Sequence, residues 1–504
     1  VNLMMLLEMA RSGFPDRVAV TSGDLALRYD ELFAMAGATA KALRETGARH
    51  AALLDVSSPA LPVALFAGAW AGLPFAPLNY RLSEVEVEAL LERLSPVALV
   101  TDAERAGALA GRGGTHILAR ERFLELARAA GDPGEWPADP EAIAVLLFTS
   151  GTTGAPKAAV LRQRHLVSYI LGSVEFGAAE EDEATLVSVP PYHVAGIAAI
   201  LSSIYAGRRI VQLPAFSPEA WLETARREGV TQAFVVPTML ARIVEALEGR
   251  ESADLPRLRA LAYGGGKMPQ AVIERAMRLF PETSFTNAYG LTETSSTITV
   301  LTPEDHREAA QSEDPARRRR LVSVGRPIPG VEVEIRDEAG RALGPGERGE
   351  IHVRGEQVAG EYLEQGSRLL PGGWFPTRDA GLVDEEGYLF LEGRIDDVIV
   401  RGGENMSPGE IEDVLLAHPD VADCAVVGVP DQEWGEAVAA AVVPRPGATP
   451  DPESLRTWVR ERLRSSRAPQ VVSFRDALPY NETGKLLRRV IRAELAEEPR
   501  EAAS

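Results

Sequence analysis

An α/β architecture with a smaller α+β end is what this sequence predicts, and three observations predict it. Helical and strand-like segments alternate through residues 1–130 and again from about Leu186 to Ala288, the pattern of parallel strands with helices on their faces. From Val331 the pattern changes. VEVEIRD, GEIHVRG and GYLFLEG read as strands joined by short turns of Gly, Asp and Glu, as in a small β-barrel or meander. Beyond Gly393 helices and strands mix once more over roughly 110 residues, a size that folds as an independent unit.

In the first region, Tyr29–Thr46 places Leu32, Met35, Ala36, Thr39 and Leu43 along one helical face. Ala51–Val56 is a short apolar strand, Pro59–Ala71 a mostly apolar helix, and Val97–Thr101 another strand. Ser83 opens a helix to Leu94, with Glu86 placed to complete a capping box. Thr101–Pro140, rich in Ala, Gly, Arg and Pro, reads as a surface connection with a helix or two. Ala142–Leu147 is a strand, and a helical period returns from Leu161. Strands Leu186–Val189, Arg209–Leu213, Gln232–Val236, Leu258–Tyr263 and Thr283–Ala288 then alternate with helices such as Ser217–Glu228 and Pro269–Leu279. The charge-dense Glu304–Arg320 reads as an exposed connection. Near the end, helices Pro408–Ala417 and Pro452–Arg464 accompany strands Ala422–Val429 and Ala437–Val443.

Composition narrows the function classes. Hydrophobic residues at 45% and charged residues at 25% are those of a soluble globular protein. A formal net charge of −20 argues against a general binder of nucleic acid or of anionic membranes. Cys424 is the only cysteine, which excludes an intrachain disulfide and a cysteine-cluster metal site and fits a reducing cytoplasm. The start, VNLMMLLEMARSGF, lacks the basic opening of a signal peptide. Val56–Tyr80 and Ala184–Gly207 carry no Asp, Glu, Lys or Arg and are long enough to span a membrane. Prolines 59, 62, 74 and 77 in the first, and Pro190-Pro191 in the second, suit buried helix–strand joins better than one continuous helix, so no membrane span is expected.

Phe148–Val160, FTSGTTGAPKAAV, is the stretch around which the chemistry gathers. Gly151 and Gly154 let successive N–H groups converge on an oxyanion, the hydroxyls of Thr149, Ser150, Thr152 and Thr153 add donors, and Lys157 adds a charge. It has neither the Walker spacing nor G-x-G-x-x-G, and by itself the same composition also makes a surface turn. Other loops follow in order: YGGG at Tyr263–Gly266, NAYGLTET at Asn287–Thr294, DAG at Asp379–Gly381, GRIDD at Gly393–Asp397, RGGEN at Arg401–Asn405 and NETGK at Asn481–Lys485. In an open parallel sheet, ligands bind beyond the carboxyl ends of the strands, so these loops can share one crevice.

This set, in this order and over essentially the whole chain, resembles the adenylate-forming superfamily of acyl-CoA synthetases, peptide-synthetase adenylation domains and firefly-type luciferases. RGGENMSPGEIE most resembles the acyl-CoA synthetases. The resemblance implies an N-terminal domain, residues 1–393, of two stacked α/β subdomains with a small β-barrel at about 325–393. A mobile α+β domain, 394–504, would follow. It implies ATP (leaving as AMP), Mg²⁺, coenzyme A and a carboxylic acid as reactants, and a homodimer as a common assembly.

Site roles follow from the same resemblance. Thr149, Ser150, Gly151, Thr152, Thr153, Gly154 and Lys157 would cradle the triphosphate, and Glu293 with Thr152 would hold Mg²⁺. Gly264, Gly265, Gly266, Asn287, Ala288 and Tyr289, with Gly290 and Thr292, would wall the nucleotide and acyl pockets. Asp379 would take the ribose hydroxyls with Arg394 nearby, and Lys485 would stabilise charge at the α-phosphate. His193, in PPYHVAG, would sit at the carboxylate end of the acyl pocket, although a histidine amid apolar residues also reads as structural. Asp396 would be the hinge, and Gly402 and Gly403 would line the pantetheine tunnel.

Two positions depart from the family pattern. Arg378 stands where the family usually has a glycine, and Ala158 where glycine is common. Either Arg378 weakens ATP use, leaving an enzyme best at passing a ready-made acyl-adenylate to CoA, or it points to solvent. Small residues at Gly196, Ala198, Ala199, Ala262 and Gly264 allow a bulky hydrophobic acid. The alternatives are an enzyme that loads a carrier-protein thiol, and a degenerate nucleotide-binding scaffold.

Overall fold

The structure, a computed structural model, describes residues 1–129, 132–149, 156–481 and 484–497, the side chain of Asn405 excepted. Four sheets organise it. One has eight strands in the order Gly366–Ser367, Glu361–Tyr362, Lys157–Arg162, Ile143–Thr149, Phe75–Pro77, His50–Leu54, Val97–Thr101 and Thr115–Ala119. Its last five strands are parallel. The second has nine, in the order Arg326–Pro327, Ser296–Leu301, Ser284–Leu291, Ala260–Gly264, Gln232–Val235, Ala184–Val187, Arg209–Gln212, Val18–Ser22 and Leu25–Arg28. Its six strands from Ser284–Leu291 to Val18–Ser22 are parallel.

One apolar cluster joins the two sheets. Ala51, Leu53 and Phe75 from the first and Val20, Leu186 and Ile210 from the second pack together through helices Tyr29–Glu45, Ala60–Ala71 and Val194–Ala206. Helix Ala60–Ala71 is buried on every side, which explains why its sequence shows no polar face. Both charge-free stretches are therefore buried helix–strand joins. Among the described residues no helix is long and apolar enough to cross a membrane.

The predicted barrel is, among the described residues, an open four-stranded antiparallel sheet: Val331–Arg336, Gly349–Gly355, Phe375–Val383 and Leu389–Arg394. Its core includes Tyr289 and Ile298 of the nine-stranded sheet, so those two sheets share one apolar cluster. The last sheet combines Glu404–Met406, Ile399–Arg401, Gly435–Pro444 and Val421–Asp431, with Val471–Phe474 parallel to Gly435–Pro444. Helices Pro408–Leu416 and Pro452–Arg460 pack on one of its faces and Arg488–Glu497 on the other.

The Ser83 cap forms as expected: its hydroxyl oxygen accepts the Glu86 N–H at 3.4 Å, and the Glu86 carboxylate accepts the Ser83 N–H at 2.9 Å. Two segments differ from expectation. Thr101–Pro140 contributes an edge strand, Thr115–Ala119, parallel to Val97–Thr101. Glu304–Arg320, expected to be an exposed connection, holds helices Pro303–Gln311 and Pro315–Arg318 with Asp305 and His306 buried. Tyrosine partners allow that burial. Tyr388 Oη donates to Asp305 Oδ1 at 2.6 Å, and Tyr263 Oη lies 2.8 Å from His306 Nε2.

Candidate active site

Strand Ile143–Thr149 runs into the glycine-rich stretch and strand Lys157–Arg162 returns antiparallel to it, with Thr149 opposite Lys157. The strands on either side thus pair with each other, and the next helix, Gln163–Ser173, begins only after the second of them. Ser150, Gly151, Thr152, Thr153 and Gly154 lie outside the described residues. Of the residues flanking them, Thr149 Oγ1 donates to the Lys157 carbonyl at 3.4 Å, and Lys157 Nζ lies 5.5 Å from the Tyr362 ring centre.

Tyr362 links this hairpin to Glu293. Arg162 grips Glu361 with two bonds of 2.9 and 2.7 Å, fixing the short strand Glu361–Tyr362 beside it. The Tyr362 hydroxyl donates to Glu293 Oε1, and burial together with that carboxylate raises the phenol pKa, so it stays a donor. The 3₁₀ turn Thr292–Thr294 that carries Glu293 is itself pinned. Its Thr294 hydroxyl donates to the Ser296 carbonyl and accepts the Leu291 N–H, the Gln357 amide donates to the Thr294 and Thr297 carbonyls, and the Glu293 carbonyl accepts from Ala359 and Gly360. Gln357 and Tyr362 sit in no motif, and nothing in the sequence singles them out.

A second cluster forms around Asp379. Tyr289 Oη donates to Asp379 Oδ2 at 2.6 Å, and Arg394 Nη1 stands 3.1 Å from Oδ1 and 2.9 Å from the Thr377 carbonyl. Burial raises the Asp379 pKa, with Arg394 and Tyr289 opposing it. Burial, then Asp379, lifts the Tyr289 phenol well above its ordinary value, so Tyr289 only donates. Tyr289→Phe is expected to keep the fold and weaken ATP binding by about 1–2 kcal/mol, roughly ten-fold in ATP KM, because the Asp379 carboxylate loses one of its donors. Isothermal titration with ATP checks it, and an unchanged affinity would remove Tyr289 from the site.

Lys485 lies within electrostatic reach of both clusters. Its turn is closed by the Asn481 N–H on the Lys485 carbonyl and the Lys485 N–H on Asn481 Oδ1, each at 2.8 Å. Gly484, at φ +76°, sits so close to Thr238 that a Cβ there would lie 2.5 Å from Thr238 Oγ1. Lys485 is an exposed residue by area. Neighbouring protein nonetheless withdraws enough water, with Arg394 adding repulsion, to pull its ammonium below the ordinary lysine value, while Asp379, Asp397 and Glu293 hold it up.

The glycine walls are explained by contact. A Cβ on Gly264 would meet the Ala288 carbonyl oxygen at 2.1 Å, and one on Gly290 the Ser296 oxygen at 1.8 Å. Gly265 and Gly266 continue the strand end beside Val236 and Pro237, and Ala288 pairs with Gly264. Asn287 is buried with its amide on the Ser323 carbonyl at 3.0 Å, a structural tie rather than an open wall. Thr292, the first residue of the turn, is half-buried.

Other expected residues stand apart from these contacts. His193 caps helix Val194–Ala206, its Nδ1 accepting the Ala195 N–H at 3.1 Å. Burial pulls its pKa down to about 4, so the neutral ring carries its proton on Nε2. We expect the ¹⁵N spectrum of His193 to show one neutral Nε2–H tautomer from about pH 5.5 to 8, and titration inside that range would contradict the assignment. Gly402 donates its N–H to the Trp434 carbonyl at 2.8 Å and packs against the Trp434 ring, with Gly403 in the same turn. Asp396 pairs with Arg378 at 2.5 Å. Arg378 takes φ +63°, the left-handed region expected of a glycine, and its side chain, 55% exposed, engages Asp396 instead of reaching solvent alone.

These residues fit a magnesium nucleotide. Tyr362 occupies one oxygen of Glu293, and Oε2 is the oxygen suited to a hard cation. Glu293 offers a single carboxylate, and Mg²⁺ is commonly held by one or two carboxylates together with substrate phosphates. Asp379 with Arg394 offers a carboxylate to a ribose diol and a cation to a phosphate.

Comparison with known proteins points the same way. The family model described as AMP-binding enzyme matches residues 7–363, and that of the AMP-binding enzyme C-terminal domain matches 410–485. A feruloyl-CoA synthase of Amycolatopsis sp is 34% identical over 485 residues, 95% of this chain and 96% of that protein. A fatty acid–[acyl-carrier-protein] ligase of Streptomyces coeruleorubidus is 33% identical over 494 residues, 95% of this chain and 93% of that one. The o-succinylbenzoate CoA synthetase of Bacillus subtilis, solved with its acyl-adenylate intermediate, superposes with a TM-score of 0.84 at 29% identity, covering 99% of each chain. Solved with ATP and magnesium ion, the same synthetase gives a TM-score of 0.82 at 29% identity, covering 96% of this chain and 98% of that one. This chain belongs to the AMP-binding enzyme family, in the acyl-CoA synthetase branch of the adenylate-forming superfamily.

Proposed function

We propose that the protein is an AMP-forming acid–thiol ligase that joins a hydrophobic carboxylic acid to coenzyme A through an acyl-adenylate. The observation that carries this reading is the Asp379–Arg394 pair, 3.1 Å apart, with Glu293 and Lys485, distant in sequence, within its electrostatic reach. In the first step a carboxylate oxygen of the acid attacks the α-phosphorus of ATP and pyrophosphate leaves. Lys485 stabilises the charge that grows on the α-phosphate oxygens, and Asp379 fixes the ribose so that attack is in line. Glu293, with Thr152 and the glycine-rich stretch, would hold Mg²⁺, which would neutralise charge on the phosphates. His193 Nε2–H donates to the acid's carboxylate. In the second step the CoA sulfur attacks the acyl carbonyl carbon and AMP departs with the bonding pair.

A hydrophobic acid suits the nine-stranded sheet. Phe234, Ala262 and Thr286 lie in one register row and are half-buried, whereas Ala233, Val235, Leu261, Tyr263, Phe285 and Asn287, alternating with them, are buried. That leaves a strip of one aromatic and two small residues on a single face. We assign residues 1–393 to a body that binds the nucleotide and 394–504 to a unit that delivers Lys485 for one step and Gly402-Gly403 for the other. All reactants are available in the cytoplasm, and a homodimer is the assembly we expect.

The test is a pair of assays on aryl and fatty acids. One arm supplies acid, Mg-ATP and CoA and follows pyrophosphate and acyl-CoA. The other supplies acyl-adenylate and CoA. Product in both supports the full ligase; product in neither, with either CoA or a carrier protein as thiol, would overturn it. Transfer to a carrier protein alone would move the reading toward the carrier-loading activity that the name of the Streptomyces relative states.

A further inference from the structure

Arg378 is unusual in two ways that belong together. It is one of four non-glycine residues with positive φ among the described residues, and Arg seldom adopts that conformation. The turn is fixed by its own N–H, which donates to Glu350 Oε1 at 3.0 Å. From this backbone the two neighbouring side chains part. Asp379 reaches Tyr289 and Arg394, and Arg378 reaches out to Asp396 Oδ1 at 2.5 Å.

Asp396 lies in the 3₁₀ turn Ile395–Asp397, which joins the four-stranded sheet to the five-stranded one. Among the described residues, the apolar clusters on the two sides of the turn share no residue, and polar side-chain bonds cross from the first 393 residues to Val398 and beyond. Lys267 Nζ bonds the Gly409 carbonyl and Asp413, both at 2.8 Å, Ser407 Oγ donates to the Glu392 carbonyl at 2.9 Å, and Arg348 stands 3.7 Å from Glu410. An interface of this kind yields readily to relative motion. A charge pair placed at the turn itself has leverage on which arrangement is populated.

We propose that Arg378 is a positioning residue: its ion pair with Asp396 holds the connecting turn so that Lys485 stays at the site, favouring acyl-adenylate formation over rearrangement for thioester formation. The inference rests on the ligase reading above and adds to it a residue that acts through the turn without touching substrate. A glycine at 378 would relax the backbone and give up the pair.

The test is a distance measurement by electron spin resonance, with labels on cysteines introduced at the exposed positions Glu282 and Glu461. Cys424 is buried, with its thiol pKa raised by that burial, and stays unlabelled. Arg378→Gly and Asp396→Asn should each raise the displaced population about threefold, the size an exposed ion pair permits. The double variant should add nothing further, and Arg378→Lys should keep the native distribution. Acyl-adenylate formation should fall, and thioester formation from supplied acyl-adenylate should rise, by about the same factor. An unchanged distribution in Arg378→Gly, or Arg378→Lys behaving as Arg378→Gly, overturns the proposal. The distances need no turnover, so failure of every acid in the paired assays would sink the ligase reading and leave this result standing on its own.

Discussion

Lys485→Ala is expected to slow pyrophosphate release by about 10²- to 10³-fold, while thioester formation from supplied acyl-adenylate stays within a few-fold of the parent. The asymmetry follows from where charge develops. During attack at the α-phosphorus, negative charge builds on oxygens that only a correctly placed cation can stabilise, whereas AMP departure from a finished adenylate needs no such help from this residue. Truncation should not disturb the turn, because the bonds between Asn481 and Lys485 are made by backbone atoms and the asparagine side chain. A parent-like melting temperature with selective loss of the first step is the signature. Equal loss of both steps would sink the role. A pH consequence accompanies it. The Lys485 ammonium is held below the ordinary lysine value of 10.5, so kcat/KM for adenylation should decline on the alkaline side below that value, as the proton leaves the free enzyme.

Glu412→Ala should cost about 3–5 kcal/mol in the stability of the C-terminal sheet and its helices. The Glu412 and Arg488 side chains are 5% and 17% exposed. Arg488 Nη2 donates to Glu412 Oε2 at 2.9 Å and its Nη1 to Glu412 Oε1 and the Val426 carbonyl, while Oε1 also accepts the Val426 N–H at 2.7 Å. Removing the carboxylate leaves a buried guanidinium with Asp397, 3.7 Å away, as its remaining carboxylate. Arg488 opens the helix whose Ile491 and Leu495 are fully buried, and it follows Lys485 closely in sequence. Denaturant unfolding should therefore show an early transition, and acyl-adenylate formation should fall with it. Glu412→Gln keeps the acceptor for Val426 and should lose less. An unchanged midpoint in Glu412→Ala would show that the pair contributes nothing net.

Much of the site was legible because its chemistry is local. Glycines at strand ends, Asp379 two residues after a hydroxyl, and Lys485 after a tight Gly turn are patterns a sequence displays, and the structure pairs Asp379 with Arg394 and sets Glu293 and Lys485 within electrostatic reach of them. The partners that tune them were not legible. Tyr362, Gln357 and Tyr289's bond to Asp379 depend on register between strands more than sixty residues apart. The same limit hid the Pro303–Gln311 helix, whose acidic and basic residues suggest solvent until Tyr388 and Tyr263 are placed over Asp305 and His306. Barrel closure was over-read for a related reason: short alternating strands specify an antiparallel sheet, but closure depends on a pairing between first and last strands that alternation does not encode.

The nine-stranded sheet has a consequence for how the chain is made. Val20 pairs with Ile210, about 190 residues later, while strands from His50 to Arg162 build the other sheet in between. At translation rates of about 5–20 residues per second, that partner emerges roughly ten to forty seconds after Val18–Ser22 does. Over that interval Met4, Leu6 and Leu7, buried in the finished fold in one cluster with helix Val194–Ala206, have no such cover. The stretch from Met4 to Ser22 is therefore one that a ribosome-associated chaperone is expected to cover until Arg209–Gln212 emerges.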